Sequence, residues 1–299
     1  MITRKDYAIT NNLAMKIETN FIKDIAISFR VELERYGYKN IPDDNDGIVN
    51  AYFKVMHRII SFVPRRIEKS DAFLCPPELI HGLEILEYKI TKGENINPHQ
   101  SKGIMDIKEN DPLLNDWGIH HLHLGIEKEE NTFFINRTGP LLYVFFTEDT
   151  AYFLNVFSHG QWTNKSLLNI LDRNWSELTD PWKINIIDTK DLDSASMKKA
   201  RKVGCNFFTK INGKIFAPPG GGYTTARTSV RAGIDSDHFL MRLEDYEKRI
   251  KSNLSELEKI VKRNLNAKIN KLELKPEIKN GILFAKDKNY NLSFELGAI

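Results

Sequence analysis

The chain has 299 residues, of which 41% are hydrophobic and 28% are charged, a composition typical of a globular protein rather than a disordered or collagen-like one. Its 43 basic and 40 acidic residues leave a formal net charge of +3, which excludes a generally basic surface of the histone kind. Two cysteines, Cys75 and Cys205, are too few for a disulfide framework or a cysteine-based zinc site, and they suit a reducing compartment.

The first part of the chain has the spacing of helices. Hydrophobic residues recur at intervals of four from Leu13 to Leu33, which places them on one face of a helix. Asp44 can cap a second helix, and prolines are common in the first turn of a helix such as the third. The predicted helices cover residues 12–36, run from after Asp44 to Phe62, and run from Pro76 to Gly93. These elements predict a helical region over residues 1–110.

The pattern then changes to short runs rich in aromatic and β-branched residues. The short polar connections between these runs favour antiparallel neighbours, so the sequence predicts a β-meander. The predicted strands are Trp117–Ile126, Thr132–Asn136, Leu141–Phe146 and Ala151–Phe157.

Two further helices are expected, near residues 164–173 and 194–202. Asn212-Gly213 then lies between two short strands and predicts a hairpin. Farther along, a heptad-like stripe from Phe239 to Leu265 predicts a long helix over residues 237–265. Three strands follow, over residues 271–274, 282–285 and 292–296, with a turn at Asn280-Gly281. The sequence therefore predicts an α+β fold, with a helical region over 1–110 and an α+β catalytic region over 111–299.

Targeting signals are not evident. The start, Met1–Tyr7, is not followed by a hydrophobic stretch, so we expect no secretory signal. The longest hydrophobic run, Leu141–Phe146, is far shorter than the roughly 20 residues that span a bilayer. We therefore expect a cytoplasmic protein with no membrane partner.

Three histidines fall within four residues, His120, His121 and His123. On a strand, side chains alternate between the two faces, so His121 and His123 share one face and His120 lies on the other with Leu122. Imidazole gives and takes protons near neutral pH and is also a common metal ligand. The cluster therefore predicts either acid–base chemistry or metal binding.

The leading hypothesis is a metal-independent endoribonuclease that needs no cofactor. Cleavage of RNA by its own 2′-hydroxyl requires a base, an acid and a cation near the phosphorus. His121 or His123 would be the base, His159 the acid and Arg137 the phosphate clamp, while His120 would orient a neighbour, or satisfy its hydrogen bonds, from the opposite face. Such an enzyme would suit a toxin or a phage-defence effector.

Substrate contacts are predicted at two further kinds of residue. Trp117 and Trp162 could stack on an RNA base, since every base has a flat π-face. The glycine-rich segment 218–233 carries Arg227 and Arg231, and glycines allow a backbone to approach a ligand closely. The segment lacks a P-loop pattern, so it is either a linker or a loop that closes over a nucleic-acid backbone. Lys102 is a further candidate cation.

Two alternatives remain open at the sequence level. The first is a metal-dependent enzyme that uses His121 and His123 with a third ligand, His159 or in its place Glu127 or Asp116; half of a cupin metal motif is present, but its second half is missing. The second is a non-enzymatic interaction protein, in which the helix over 237–265 would mediate self-association or bind a protein partner.

Overall fold

The structure of the protein, a computed structural model, describes residues 15–185, 189–265, 269–287 and 289–299. The described residues form two compact units. One comprises the residues up to Val31 together with Asp44–Val49 and Asp237–Ile299, and the other comprises Glu32–Asp43 and Asn50–Ser236. Residues 15–31 share a unit with Asp237–Ile299, and a domain boundary at residue 110 stays a prediction.

Helices and strands are both present, which confirms the α+β class. The described helices are α1 (Phe21–Arg35), α2 (Asn45–Arg58), α3 (Ile80–Lys92), α4 (Pro112–Trp117), α5 (Ser166–Asn174), α6 (Ser176–Thr179), α7 (Ser194–Lys202), α8 (Val230–Ser252) and α9 (Leu254–Leu265). The described strands are β1 (Lys16–Thr19), β2 (Arg66–Lys69), β3 (Ile119–His123), β4 (Pro140–Phe146), β5 (Thr150–Ser158), β6 (Thr209–Ile211), β7 (Lys214–Phe216), β8 (Lys271–Lys279), β9 (Ile282–Asp287) and β10 (Leu292–Ala298).

Several helix boundaries follow the predicted signals. The Asp44 carboxylate accepts a hydrogen bond from the backbone N–H of Gly47 at 2.7 Å and so caps the start of α2. Gly93 ends α3 in the left-handed conformation, with φ of 70°, which glycine adopts without steric cost. The helix predicted over 12–36 begins only at Phe21, because β1 precedes it; residues 12–14 lie outside the described residues.

The long helix predicted over 237–265 is wrong as a single element. Two helices cover this stretch, α8 and α9, and they are separated at Asn253. Helix α8 also begins earlier than predicted, at Val230, so it takes up the end of the glycine-rich segment. A hydrophobic stripe of heptad spacing is compatible with one long helix or with two shorter ones, and it does not locate a break between them.

The first unit contains a four-stranded sheet in the order β1-β8-β9-β10. Strand β1 runs parallel to β8, and the other pairs are antiparallel. The predicted C-terminal strands are confirmed, and the turn at Asn280-Gly281 has the positive φ values, 50° and 73°, of a type I′ hairpin. Alternating residues of β8 and β9, among them Leu272, Leu274 and Leu283, are buried on one face of this sheet.

The second unit contains a four-stranded sheet in the order β2-β5-β4-β3, with hydrophobic clusters on both faces. Helix α3 covers one face through Leu83 and Leu86, and α4 and α5 cover the other through residues such as Leu113 and Leu168. The hairpin β6–β7, with its turn at Asn212-Gly213, was correctly predicted.

One predicted strand of the meander is wrong. Residues 132–136 form a loop that has only an isolated bridge between Lys128 and Ile135. The fourth strand of the sheet is instead β2, which pairs in parallel with β5. Its sequence, Arg-Ile-Glu-Lys, is short and mostly charged, so the hydrophobic pattern did not indicate a strand there. The meander therefore has three antiparallel strands, β3, β4 and β5.

Candidate active site

Strand β3 separates the three clustered histidines as predicted. His121 lies directly opposite Tyr143 of β4, on the sheet face that carries Ile119 and the α4–α5 cluster. His120 lies on the other face, which carries Leu122 and packs against α3. The alternation of a strand thus divides the cluster between two environments.

His121 and His159 meet at one tryptophan. The imidazole centroid of His121 is 4.6 Å from the indole centroid of Trp162, and that of His159 is 5.0 Å from the same ring. Trp162 lies in the turn after β5, and the backbone N–H of His159 donates to Gly139 O at 3.0 Å, which fixes the end of the strand beside the loop before β4. An imidazole from β3 and one from the turn after β5 therefore both contact the indole of Trp162.

Asp111 faces His121 from the start of α4. One carboxylate oxygen, Oδ1, accepts hydrogen bonds from the backbone N–H groups of Leu113 and Leu114, both at 3.0 Å, and so caps the helix. The other, Oδ2, lies 3.5 Å from His121 Nδ1, within ion-pair distance but without hydrogen-bond geometry. The capping bonds hold the carboxylate rigidly beside the imidazole.

The pKa of His121 is lowered from its ordinary value, chiefly because burial disfavours the charged imidazolium. The negative charge of Asp111 opposes this effect and raises the pKa, while the charges of His159 and Arg137 add to the lowering. His121 is therefore neutral near pH 7, the form in which a histidine accepts a proton.

A cavity of about 220 Å³ opens beside this group. The cavity is lined by His121 and Trp162, by residues between Gln100 and Pro112, and by Arg58 of α2. Most of its lining residues are polar or charged, and a titratable residue with a perturbed pKa, His121, borders it, so the cavity is a candidate ligand site.

His123 has a different role from His121, although the two share a face. Its side chain is 2% exposed, and its Nδ1 accepts a hydrogen bond from the backbone N–H of Thr138 at 3.1 Å. Burial, together with the neighbouring charge of Arg137, lowers the pKa of His123 to about 4. His123 therefore fixes the loop that carries Arg137, and it is poorly placed to be the base.

Arg137 is exposed at the end of the sheet where His123 and His159 lie. The loop that carries Arg137 passes close to Gly125, which follows β3: a Cβ at Gly125 would stand 2.0 Å from Asn136 O. The structure thus brings four of the predicted residues to one end of the sheet, namely His121, His123, Arg137 and His159.

His120 lies on the opposite face of the sheet from the cavity, as the alternation of the strand predicts. Its ring meets Phe146 edge-on at 5.5 Å and lines a separate, open cleft together with Arg65 and Glu148. Burial lowers the pKa of His120 to about 3. His120 does not line the cavity, and its role in orienting or satisfying a neighbour stays a prediction.

The predicted stacking role of Trp117 is wrong. Trp117 is fully buried in the core of the second unit, its Nε1 donates to Thr209 Oγ1 at 3.4 Å, and the guanidinium of Arg201 lies 4.4 Å from its ring centroid. An aromatic residue that precedes a strand gives the same sequence signal whether it is buried or exposed. Trp162 is half-buried at the cavity and remains the candidate for stacking.

The glycine-rich segment packs tightly instead of forming an open loop. The N–H groups of Gly220 and Gly222 donate to the carbonyls of Asp116 and Asn115, and a Cβ at Gly220 would stand 2.1 Å from Leu114 O. These glycines are required by the close approach of the segment to α4.

The remaining predicted cations lie away from the lining of the cavity. Lys102 is beside its rim but forms an ion pair with Glu129. Arg227 is exposed, and Arg231 donates to Pro219 O at 3.0 Å with its guanidinium 5.6 Å from the Trp182 ring centroid.

The histidines are not arranged as a metal site. Within the described ranges, no three His, Cys, Asp or Glu side chains are grouped to hold a metal ion. Asp116, one of the suggested extra ligands, is fully buried and accepts two hydrogen bonds from Arg201. The geometry therefore gives the metal-dependent alternative no support.

Comparisons of the chain with protein-family models, curated proteins and solved structures gave no match. In the described part of the chain, every helix is too short or too polar to cross a bilayer. Function must therefore be argued from the site itself.

Two residues of the site were missed in the sequence. Asp111 precedes a proline, a signal that predicts a helix cap but not its second role beside His121. Tyr143 lies opposite His121, and burial raises its pKa to about 12, so its hydroxyl stays protonated. Its position in a hydrophobic strand gave no sign of proximity to a titratable group.

Proposed function

We propose that this protein is a metal-independent endoribonuclease that cleaves RNA by acid–base catalysis. The observation that carries the proposal is the convergence of His121 and His159 on Trp162, with Asp111 behind His121 and Arg137 nearby. A neutral imidazole with a carboxylate beside it is the arrangement of a general base.

In the proposed reaction, Asp111 favours the tautomer of His121 that carries its proton on Nδ1, which leaves Nε2 free to accept one. Nε2 takes the proton of a ribose 2′-hydroxyl, and the 2′-oxygen attacks the adjacent phosphorus. The bond from phosphorus to the 5′-oxygen breaks, and the protonated imidazole of His159 gives its proton to that leaving oxygen. The products are a 2′,3′-cyclic phosphate and a free 5′-hydroxyl.

Arg137 would stabilise the charge that develops on the phosphoryl oxygens. Its guanidinium makes no hydrogen bond or ion pair within the described residues, so its donors are available to a phosphate. The hydrogen bond from Thr138 to His123 holds its loop in place. Trp162 would stack on a base next to the cleaved bond.

RNA is then the proposed partner and the cytoplasm the proposed location, and a toxin or phage-defence effector remains the biological role that we favour. Self-association through the stretch 237–265 stays a prediction, now placed on two helices instead of one.

Purified protein should cleave single-stranded RNA in the presence of EDTA, and His121→Gln and His159→Gln should each abolish most of this activity. His81→Gln is the matched control, because His81 lies on the exposed surface of α3 with 68% of its side chain accessible. Absence of cleavage by the wild-type protein, or full activity in both site variants, would reject the proposal.

A further inference from the structure

The cavity beside His121 offers hydrogen-bond acceptors more than donors. Gln100 lines it and is 6% exposed; its amide nitrogen donates to Arg58 O at 3.1 Å and to Asn97 Oδ1 at 2.6 Å. Both amide hydrogens are thus used, and the amide oxygen is the atom that Gln100 has left to offer. The buried guanidinium of Arg58 donates through Nη1 to the carbonyls of Asp106 and Glu109, both at 2.9 Å, while its Nη2 is buried without a hydrogen-bond partner among the described residues.

Two carboxylates, those of Asp111 and Glu109, also line the cavity. Asp111 is already used by the cap of α4 and by His121. The carboxylate of Glu109, in contrast, makes no hydrogen bond or ion pair within the described residues. It lies against Gly103, where a Cβ would stand 3.2 Å from its Cγ, and so it borders the cavity with two available acceptor oxygens.

This lining sets two carboxylates against the one guanidinium of Arg58, whose buried Nη2 has no partner in the described part of the chain, so its net charge is negative and it is unsuited to a phosphate. It is suited to a flat group that presents N–H donors while it lies against the indole of Trp162. Among the RNA bases, guanine alone has two adjacent donors, N1–H and the N2 amino group, which one carboxylate can accept together. Adenine, cytosine and uracil place an acceptor beside each donor on that edge.

We propose that this cavity is a guanine-binding subsite in which Glu109 accepts hydrogen bonds from N1–H and N2–H of the base. The inference rests on the proposed function, since it assigns the nucleotide beside the cleaved bond. The phosphate of that nucleotide would lie outside the cavity, near His159 and Arg137, and the ribose near His121.

The test is calorimetric titration of the full-chain protein with the four nucleoside 3′-monophosphates, which bind without being cleaved. Guanosine 3′-monophosphate should bind roughly tenfold or more tightly than the other three, because a pair of hydrogen bonds to a charged group is lost with each of them. Glu109→Gln should reduce the preference to about threefold or less, since an amide presents one acceptor and places a donor opposite the base. Glu130→Gln changes an exposed glutamate in the loop after β3 and is the control; this variant should keep the preference for guanosine 3′-monophosphate.

Equal affinities for the four nucleotides, binding of none of them, or a preference that survives Glu109→Gln would overturn the subsite. The proposed function is judged separately by RNA cleavage. Cleavage without a guanine preference in binding rejects the subsite alone, whereas a Glu109-dependent preference without cleavage rejects the nuclease and leaves a guanine-binding site.

Discussion

The carboxylate of Asp111 lies 3.5 Å from Nδ1 of His121 while its other oxygen caps α4. One side chain therefore joins a rigid helix start to the imidazole that borders the cavity. Because the cap fixes the carboxylate, the charge beside His121 is preorganised and does not depend on substrate binding. This pairing distinguishes His121 from the other buried histidines of the second unit.

Asp111→Asn separates the charge of this carboxylate from its capping role, because asparagine is as good a helix cap as aspartate. We expect an unchanged free energy of unfolding and a fall of roughly 10²-fold or more in kcat for RNA cleavage. Denaturant unfolding and steady-state kinetics measure the two quantities. A variant that unfolds more easily but cleaves normally would contradict the role of Asp111.

The pH profile of kcat/KM provides a second check on the same pair. The base must be neutral, and burial lowers the pKa of His121, so the acid limb of the wild-type profile should lie below the ordinary histidine value of about 6.5. Asp111 raises the pKa of His121, so its replacement by asparagine should move the acid limb to still lower pH. A shift to higher pH would show that the group titrating in this limb is not His121.

The two tryptophans should respond differently to truncation. Trp117→Ala removes a fully buried ring and should lower the free energy of unfolding by about 3–5 kcal/mol. Trp162→Ala should affect stability less but weaken RNA binding by about 1–3 kcal/mol, through the loss of stacking. Fluorescence titration with a short RNA, alongside urea unfolding, distinguishes the effects; equal RNA affinity in Trp162→Ala would reject its stacking role.

The loop that carries Arg137 can be displaced without changing a polar residue. A Cβ at Gly125 would stand 2.0 Å from Asn136 O, whereas a Cβ at Gly139 would meet nothing within 4 Å. Gly125→Ala should therefore cost about 1–3 kcal/mol of stability and lower kcat/KM, and Gly139→Ala should do neither. Similar kinetics for the two variants would mean that the position of Arg137 does not matter for cleavage.

Acid should destabilise the protein through its buried neutral histidines. Burial lowers the pKa of both His99 and His123 to about 4, while in the unfolded chain they titrate near 6.5. Stability is therefore complete above about pH 6.5 and is lost as the pH falls toward about 4, by roughly 3 kcal/mol for each imidazole. Urea unfolding between these limits measures the loss, and His99→Gln should reduce its slope; a pH-independent free energy of unfolding would contradict these assignments.

The sequence predicted the elements whose signals are local. Alternation placed His121 and His123 on one face of β3, the Asn212-Gly213 turn gave the hairpin, and Gly93 ended α3. It did not predict β2, because four mostly charged residues become a strand only when β5 lies beside them.

Burial and contacts across the sheet also could not be predicted from the sequence. Trp117 and Trp162 carry the same chemistry, and only packing makes one a core residue and the other a cavity wall. His123 was predicted as a base alongside His121, because the sequence does not show that the backbone N–H of Thr138 donates a hydrogen bond to His123. Asp111 joins the site through a turn of the chain that brings α4 and β3 together.

The ends of the RNA products test the central claim most directly. After incubation of a defined single-stranded RNA with the protein in EDTA, mass spectrometry should find 2′,3′-cyclic phosphate and 5′-hydroxyl ends with wild-type protein and His81→Gln, and intact RNA with His121→Gln and His159→Gln. Intact RNA with wild-type protein, or the same cyclic products from the His121→Gln and His159→Gln variants, would contradict catalysis by these two imidazoles.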